Sequence, residues 1–190
     1  MDNIATTMFK PRISVRAQTV ATVLAVAGAV VLPKIIHAAG AAAGLGVIPG
    51  EVILPMHLPV ILAGLLAGPY TGAVAGLLSP LVSFMISGMP IASVVPLMMI
   101  ELCAYGFFAG AMSNVRIPSV FKVIIAQVAG RAFYLLAVFI AVHAFGNTMF
   151  SVGAAFAGFS KGIIGIAAQL VIIPSVVYAV EKAEKRNGKL

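Results

Sequence analysis

Glu101, Arg131 and Lys161 each stand inside a long apolar run, and helical spacing gives each a polar neighbour. Tyr105 lies one turn beyond Glu101, Gln127 and Tyr134 flank Arg131, and Gln169 lies two turns beyond Lys161. Residues three or four apart share a helix face, so the set can converge on one polar pocket. One acid against two bases leaves about one positive charge to meet a carboxylate or phosphate, with Lys161 near enough to an end to snorkel. A Glu101–Arg131 pair that only locks two helices fits the same residues. A proton relay would need a chain of titratable groups, and beyond Glu101 only His57 and His143 offer themselves, both toward one side.

Other chemistry is not encoded. Ser79, Ser83 and Ser87 recur every four residues around Pro80, but no histidine and acid accompany them at matching spacing. Hydroxyls bonded back to their own helix are therefore expected, not a nucleophile. Three scattered histidines and the single cysteine, Cys103, form no metal-ligand pattern. The Gly-x-x-x-x-Gly-Lys-Ser/Thr phosphate cradle is absent, so any ATP chemistry must belong to another chain. The reading is a protein that is not an enzyme and has no cofactor of its own.

Composition decides what positions these residues. Of 190 residues 62% are apolar and 9% charged, and between positions 52 and 115 the only charge is Glu101. Mean hydropathy is +1.13. A water-soluble domain carries about 25% charged residues, so lipid is the expected solvent. Disorder, coiled coils, collagen-like repeats and disulfide scaffolds fail on the same numbers. The net charge of +7 does not point to nucleic acid, because seven of the twelve basic residues lie in the first 16 and last nine positions. Lys10, Arg12, Arg16, Lys182, Lys185, Arg186 and Lys189 read as flanks that fix orientation, and no basic stripe remains for a nucleic acid.

Charge gaps and turn residues divide the chain into six apolar segments, 16–39, 56–68, 70–88, 93–112, 119–146 and 155–180. The expected fold is a single all-α transmembrane domain, 1–190, with basic tails at 1–16 and 181–190 on the cytoplasmic side. Six crossings put both tails and the loop carrying Arg116 and Lys122 inside, whereas five would strand one basic end outside. The second segment is short, about 20 Å against a hydrocarbon core of about 30 Å. It must tilt, borrow residues 53–55, or form a half-helix hairpin with the third across Gly68-Pro69, a pair that stops one helix and starts another. A basic start, an apolar run and small residues near Ala38 imitate a secretory signal. The length of the run and the position of Lys34 favour an uncleaved first helix.

Small residues mark the packing faces. Ala17, Ala21, Ala25 and Ala29 place a flat stripe on the first helix, suited either to a partner helix or to packing within the chain. Gly64, Gly68, Gly72 and Gly76, with Gly106 and Gly110 in the fourth helix and Gly158 and Gly162 in the sixth, are expected to allow close helix contact.

The stretch from Leu54-Pro55-Met56-His57-Leu58-Pro59 through Gly68-Pro69, then Ser79-Pro80, Gly88-Met89-Pro90 and Glu101-Leu102-Cys103-Ala104-Tyr105-Gly106, resembles the substrate-binding S-components of energy-coupling-factor (ECF) vitamin transporters. The match extends over essentially the whole chain and includes the alanine repeat, which looks like that family's coupling surface. The resemblance implies high-affinity capture of a vitamin from outside, in the plasma membrane of a prokaryote. It implies docking through the first helix on a transmembrane coupling subunit served by two ATPases. It also implies an outward pocket drawing on the 40–57 loop with Glu51 and His57, and on Glu101, Tyr105, Arg131 and Lys161. The absence of tryptophan separates the chain from the thiamine type. A cationic pocket suits an anionic vitamin; neutral ones remain open because Glu101 can neutralise Arg131. A secondary carrier or channel needing no ATPase, and a purely structural subunit, are the rival readings.

Overall fold

The computed structural model describes residues 13–46 and 48–186, and every regular element among them is a helix. In chain order these are α1 (Val15–Ala42), α2 (Ile48–Ile53), α3 (His57–Ala67), α4 (Pro69–Ser87), α5 (Val95–Ala111), α6 (Ser119–His143) and α7 (Val152–Arg186). Lys10, Arg12 and Lys189 lie outside the described residues, as does the side chain of Glu51. Each of the six apolar segments forms a helix, and α2 is an extra six-residue helix in the first loop.

Four helices, α1, α4, α6 and α7, are long and apolar enough to cross a membrane. With 28, 19, 25 and 35 residues, all but α4 exceed the roughly 30 Å hydrocarbon thickness at about 1.5 Å per residue, and α4 nearly matches it. The apolar helices α3 and α5 are shorter, with 11 and 17 residues. All six are apolar around most of their circumference, as expected where lipid rather than water covers the outside. Large side chains such as Leu24, Met85, Val128 and Ile164 are accordingly well exposed.

Local sequence explains the helix boundaries. The Ser14 hydroxyl caps α1 by accepting the Ala17 amide at 3.4 Å, and Thr19 and Thr22 bond back to the carbonyls of Val15 and Gln18. The break between α3 and α4 falls at Gly68, whose φ of 104° and ψ of 174° suit glycine alone. Pro69 then opens α4 at the position where its missing N–H costs nothing. A methyl group at Gly72 would stand 2.7 Å from the Gly64 Cα, although eight residues of continuous helix would separate the two by about 12 Å. The chain therefore reverses at the joint. Of the three ways to accommodate the short second segment, the hairpin is the one observed; residues 54–56 stay outside the helix, with Leu54 at φ 52°.

The bundle is assembled around α3 and α5. The central cluster takes Ile61 and Leu65 from α3, Tyr105 and Ala109 from α5, Val123 and Ala126 from α6, and Ile173 and Val177 from α7. Glycines bring α4 and α5 into backbone contact. A Cβ at Gly106 would strike the Gly72 carbonyl, one at Gly76 the Leu102 carbonyl, and one at Gly110 the backbone of Pro69. The expected packing role thus fits Gly64, Gly72, Gly76, Gly106 and Gly110. Gly158 departs from it, because nothing lies within 4 Å of a Cβ built there. Gly165, which no repeat singled out, instead abuts the Val52 and Ile53 carbonyls.

The alanine stripe divides along its length. Ala29 is fully buried against Met56, Val60 and Leu102, and Ala25 is buried with Ala63 and Ala75, so α3, α4 and α5 cover this half. Ala17 and Ala21 are half-buried, beside the exposed Val20, Val23 and Leu24.

Candidate functional site

The polar residues of α5 and α6 meet in the interior. Arg131 Nη1 donates to Glu101 Oε1 at 2.7 Å, with the two side chains 17% and 4% exposed. Such a pair is stable out of water only if its remaining hydrogen-bonding groups are also met. The Tyr105 hydroxyl makes a long contact of 3.5 Å to the same carboxylate oxygen. His57 Nε2 stands 3.9 Å from it. The Phe159 ring lies 5.0 Å from the Arg131 guanidinium carbon, a cation–π contact on the other side of the arginine.

Small residues make this convergence possible. A Cβ at Gly130 would come within 2.7 Å of the Tyr105 ring, so glycine there lets α6 approach α5 closely enough for the adjacent Arg131 to reach Glu101. A Cβ at Gly162 would crowd Leu54 and the Arg131 Nη2 atom. The His57 and Tyr105 rings meet edge to face with centroids 4.9 Å apart, which fixes the imidazole at the start of α3.

A second polar chain holds the first loop. Gln127 Nε2 donates to Gln169 Oε1 at 3.1 Å, and Gln169 Nε2 donates to the Leu54 carbonyl at 3.2 Å. Gln169 therefore bridges α6 to the loop instead of extending a face shared with Lys161. With Gly165 against residues 52–53, this seats the loop on α7.

A cavity of about 300 Å³ lies beyond His57, lined by Pro33, Lys34 and His37 of α1, Gly50 and Leu54–Met56 of the loop, Ser83 and Ser87 of α4, Met89, Pro90 and Met98. Glu101 and Arg131 are not among its lining residues; His57 is the wall between the pair and the cavity. Both ring nitrogens of His57 and Nδ1 of His37 are buried without a hydrogen-bond partner. A cavity of this volume is at the small end of small-molecule sites.

The sequence-derived candidates thus separate. Glu101, Tyr105, Arg131 and His57 converge, and Gln127 joins the loop clamp. Tyr134 is half-buried against the Leu97, Val138 and Ala155 cluster. Lys161 is exposed on α7, and Glu51 belongs to α2. The serines behave as expected, with Ser79 and Ser87 donating to the carbonyls of Ala75 and Ser83. His143 stacks on Phe139 at the end of α6, about 18 Å along the helix from Arg131, and so does not continue a proton path from Glu101. No group of three or more histidine, cysteine, aspartate or glutamate side chains suited to a metal occurs among the described residues. Sequence reasoning missed Lys34 and His37 as lining residues, although their three-residue spacing puts them on one face of α1.

Membrane-length apolar helices gathered around a buried polar centre and a small cavity define a multi-pass membrane protein. The chain matches the model of the ECF transporter substrate-specific component over residues 16–177, and it belongs to that family. Its role is accordingly substrate-specific binding for ECF transport, in partnership with the transmembrane and ATPase subunits of such a transporter. No curated protein and no solved structure matches the chain.

Proposed function

We propose that the chain captures a vitamin or related micronutrient outside the cell and delivers it to an ATP-driven importer, crossing the membrane six times with both termini inside. In this topology α3 and α5 are short spans flanked by longer helices, and Arg116 and Lys122 share the inner side with the start of α1 and the end of α7, as the positive-inside rule asks. The observation that carries the reading is the cavity. Its described lining residues belong to the loops and to the halves of the helices that this topology puts outside, and its inner wall, His57, abuts the buried Glu101–Arg131 pair. An intramembrane ion pair next to a cavity suits a solute site better than a purely structural lock.

In this reading His57 contacts the ligand, Glu101, Tyr105 and Arg131 hold and polarise it from behind, and Tyr134 flanks them. Gln127 keeps the loop in place, and Glu51 and Lys161 attend the loop side. Ala17 and Ala21 lead the surface that docks on the coupling subunit. ATP is used only by the partner subunits.

The test is co-expression with a coupling subunit and its two ATPases, mass spectrometry of co-purifying small molecules, and uptake of the compound so identified. Uptake is expected to require the partners. Accumulation that persists without them and collapses with the proton gradient would establish a secondary carrier instead. His57→Ala is expected to weaken binding at least tenfold, about 1.4 kcal/mol.

A further inference from the structure

Part of the cavity wall is formed by α1, and its chemistry is one-sided. Lys34 is exposed and lines the cavity, and it pairs with no carboxylate among the described residues. No carboxylate is found among the described lining residues. Glu101 stands behind His57 and is already held by Arg131 at 2.7 Å. Among the described residues, one positive charge therefore faces the space with no carboxylate beside it. Deeper in, His57 is 4% exposed and offers two ring nitrogens with no hydrogen-bond partner, and His37 offers a third buried nitrogen in the same state. A buried polar group left unmet is unfavourable, so these imidazoles call for a partner that the described residues do not supply. The remaining walls are mostly thioether and proline, from Met56, Met89, Met98 and Pro33.

Resting on the reading of this cavity as the ligand site, we propose that it takes a small monocarboxylate with a compact, largely apolar body, and that Lys34 is the residue that selects the acid. The single lysine matches one negative charge. The volume of about 300 Å³, at the small end of small-molecule sites, suits a body of one ring and a short substituent. Histidine donates to or accepts from the polar atoms of that body, while thioethers pack on its faces. Gly50 belongs to the same device. A Cβ there would collide with the His37 ring, so glycine lets the loop close down on α1.

The test is calorimetric titration of the full chain in lipid nanodiscs with two matched pairs, nicotinate against nicotinamide and benzoate against benzamide, up to millimolar concentration. The acids are expected to bind at least tenfold more tightly than their amides. Lys34→Gln should abolish that preference and Lys34→Arg should keep it, each variant being checked for a monodisperse folded peak. Equal binding of acid and amide, no binding of either acid, or a preference that survives Lys34→Gln overturns the proposal. The last result would mean that Lys34 only reaches for lipid headgroups. Partner-dependent uptake separates this from the parent reading: acid selectivity without such uptake defeats delivery to an importer and leaves the site standing. Uptake of a neutral compound with no acid preference defeats the site alone.

Discussion

At the residue scale the decisive object is the buried carboxyl group of Glu101, paired with one guanidinium at 2.7 Å. Removing one partner of a buried pair leaves the other uncompensated, which costs about 3–5 kcal/mol, whereas removing both charges is close to neutral. Arg131→Ala should therefore lower thermal stability in detergent markedly, and Glu101→Gln combined with Arg131→Met should recover most of the loss. A double-variant melting curve no better than the single one would show that the pair is not what holds α5 to α6. The residues that form this pair were legible in the sequence, since a charge inside an apolar run must find a partner. That His57 would stand between the pair and a cavity was not legible, because the reversal at Gly68 decides where the start of α3 falls.

At the element scale, glycines set how closely helices pass. Gly106 lies against the Gly72 carbonyl with no room for a Cβ, while a Cβ at Gly158 meets nothing within 4 Å. Gly106→Ala is expected to force α4 and α5 apart and cost about 1–3 kcal/mol or more. Gly158→Ala should be harmless or should stabilise α7 by up to about 1 kcal/mol through helix propensity. Melting temperatures of the two variants in one detergent check both. Equal shifts would mean that the close approach of α4 and α5 does not limit stability. Sequence spacing marked both glycines alike, since a four-residue repeat identifies a face without saying which face has a neighbour. Gly165 was missed for the converse reason: its neighbour is loop backbone, and loops leave no periodic mark on the helix they touch.

At the scale of the whole molecule, the alanine stripe is shared between two tasks. Ala25 and Ala29 are taken up inside the bundle, leaving Ala17 and Ala21 with the exposed apolar flank of α1. Ala21→Trp should abolish co-purification with the coupling subunit while leaving ligand affinity within about twofold, since a bulky ring there spoils a surface and not the site. Ala29→Trp should instead impair folding, because that position is fully buried. Retained association in Ala21→Trp would move the docking surface elsewhere.

The sequence by itself determined the solvent, the helical class, six apolar helices close to their observed bounds, and which ionisable groups must seek partners. All of these follow from hydropathy, period and the cost of charge in lipid, which act along the chain or on one side chain at a time. Only the tertiary structure decided that the second helix folds back on the third, that half of the alanine stripe is internal, that Gln169 clamps the first loop, and that Lys34 and His37 share a cavity with His57. Those outcomes depend on which helix face meets which. In a chain apolar on nearly every face, the pattern of side chains does not choose among faces, and the choice falls to shape: where glycine lets backbones touch and where Gly68 turns the chain.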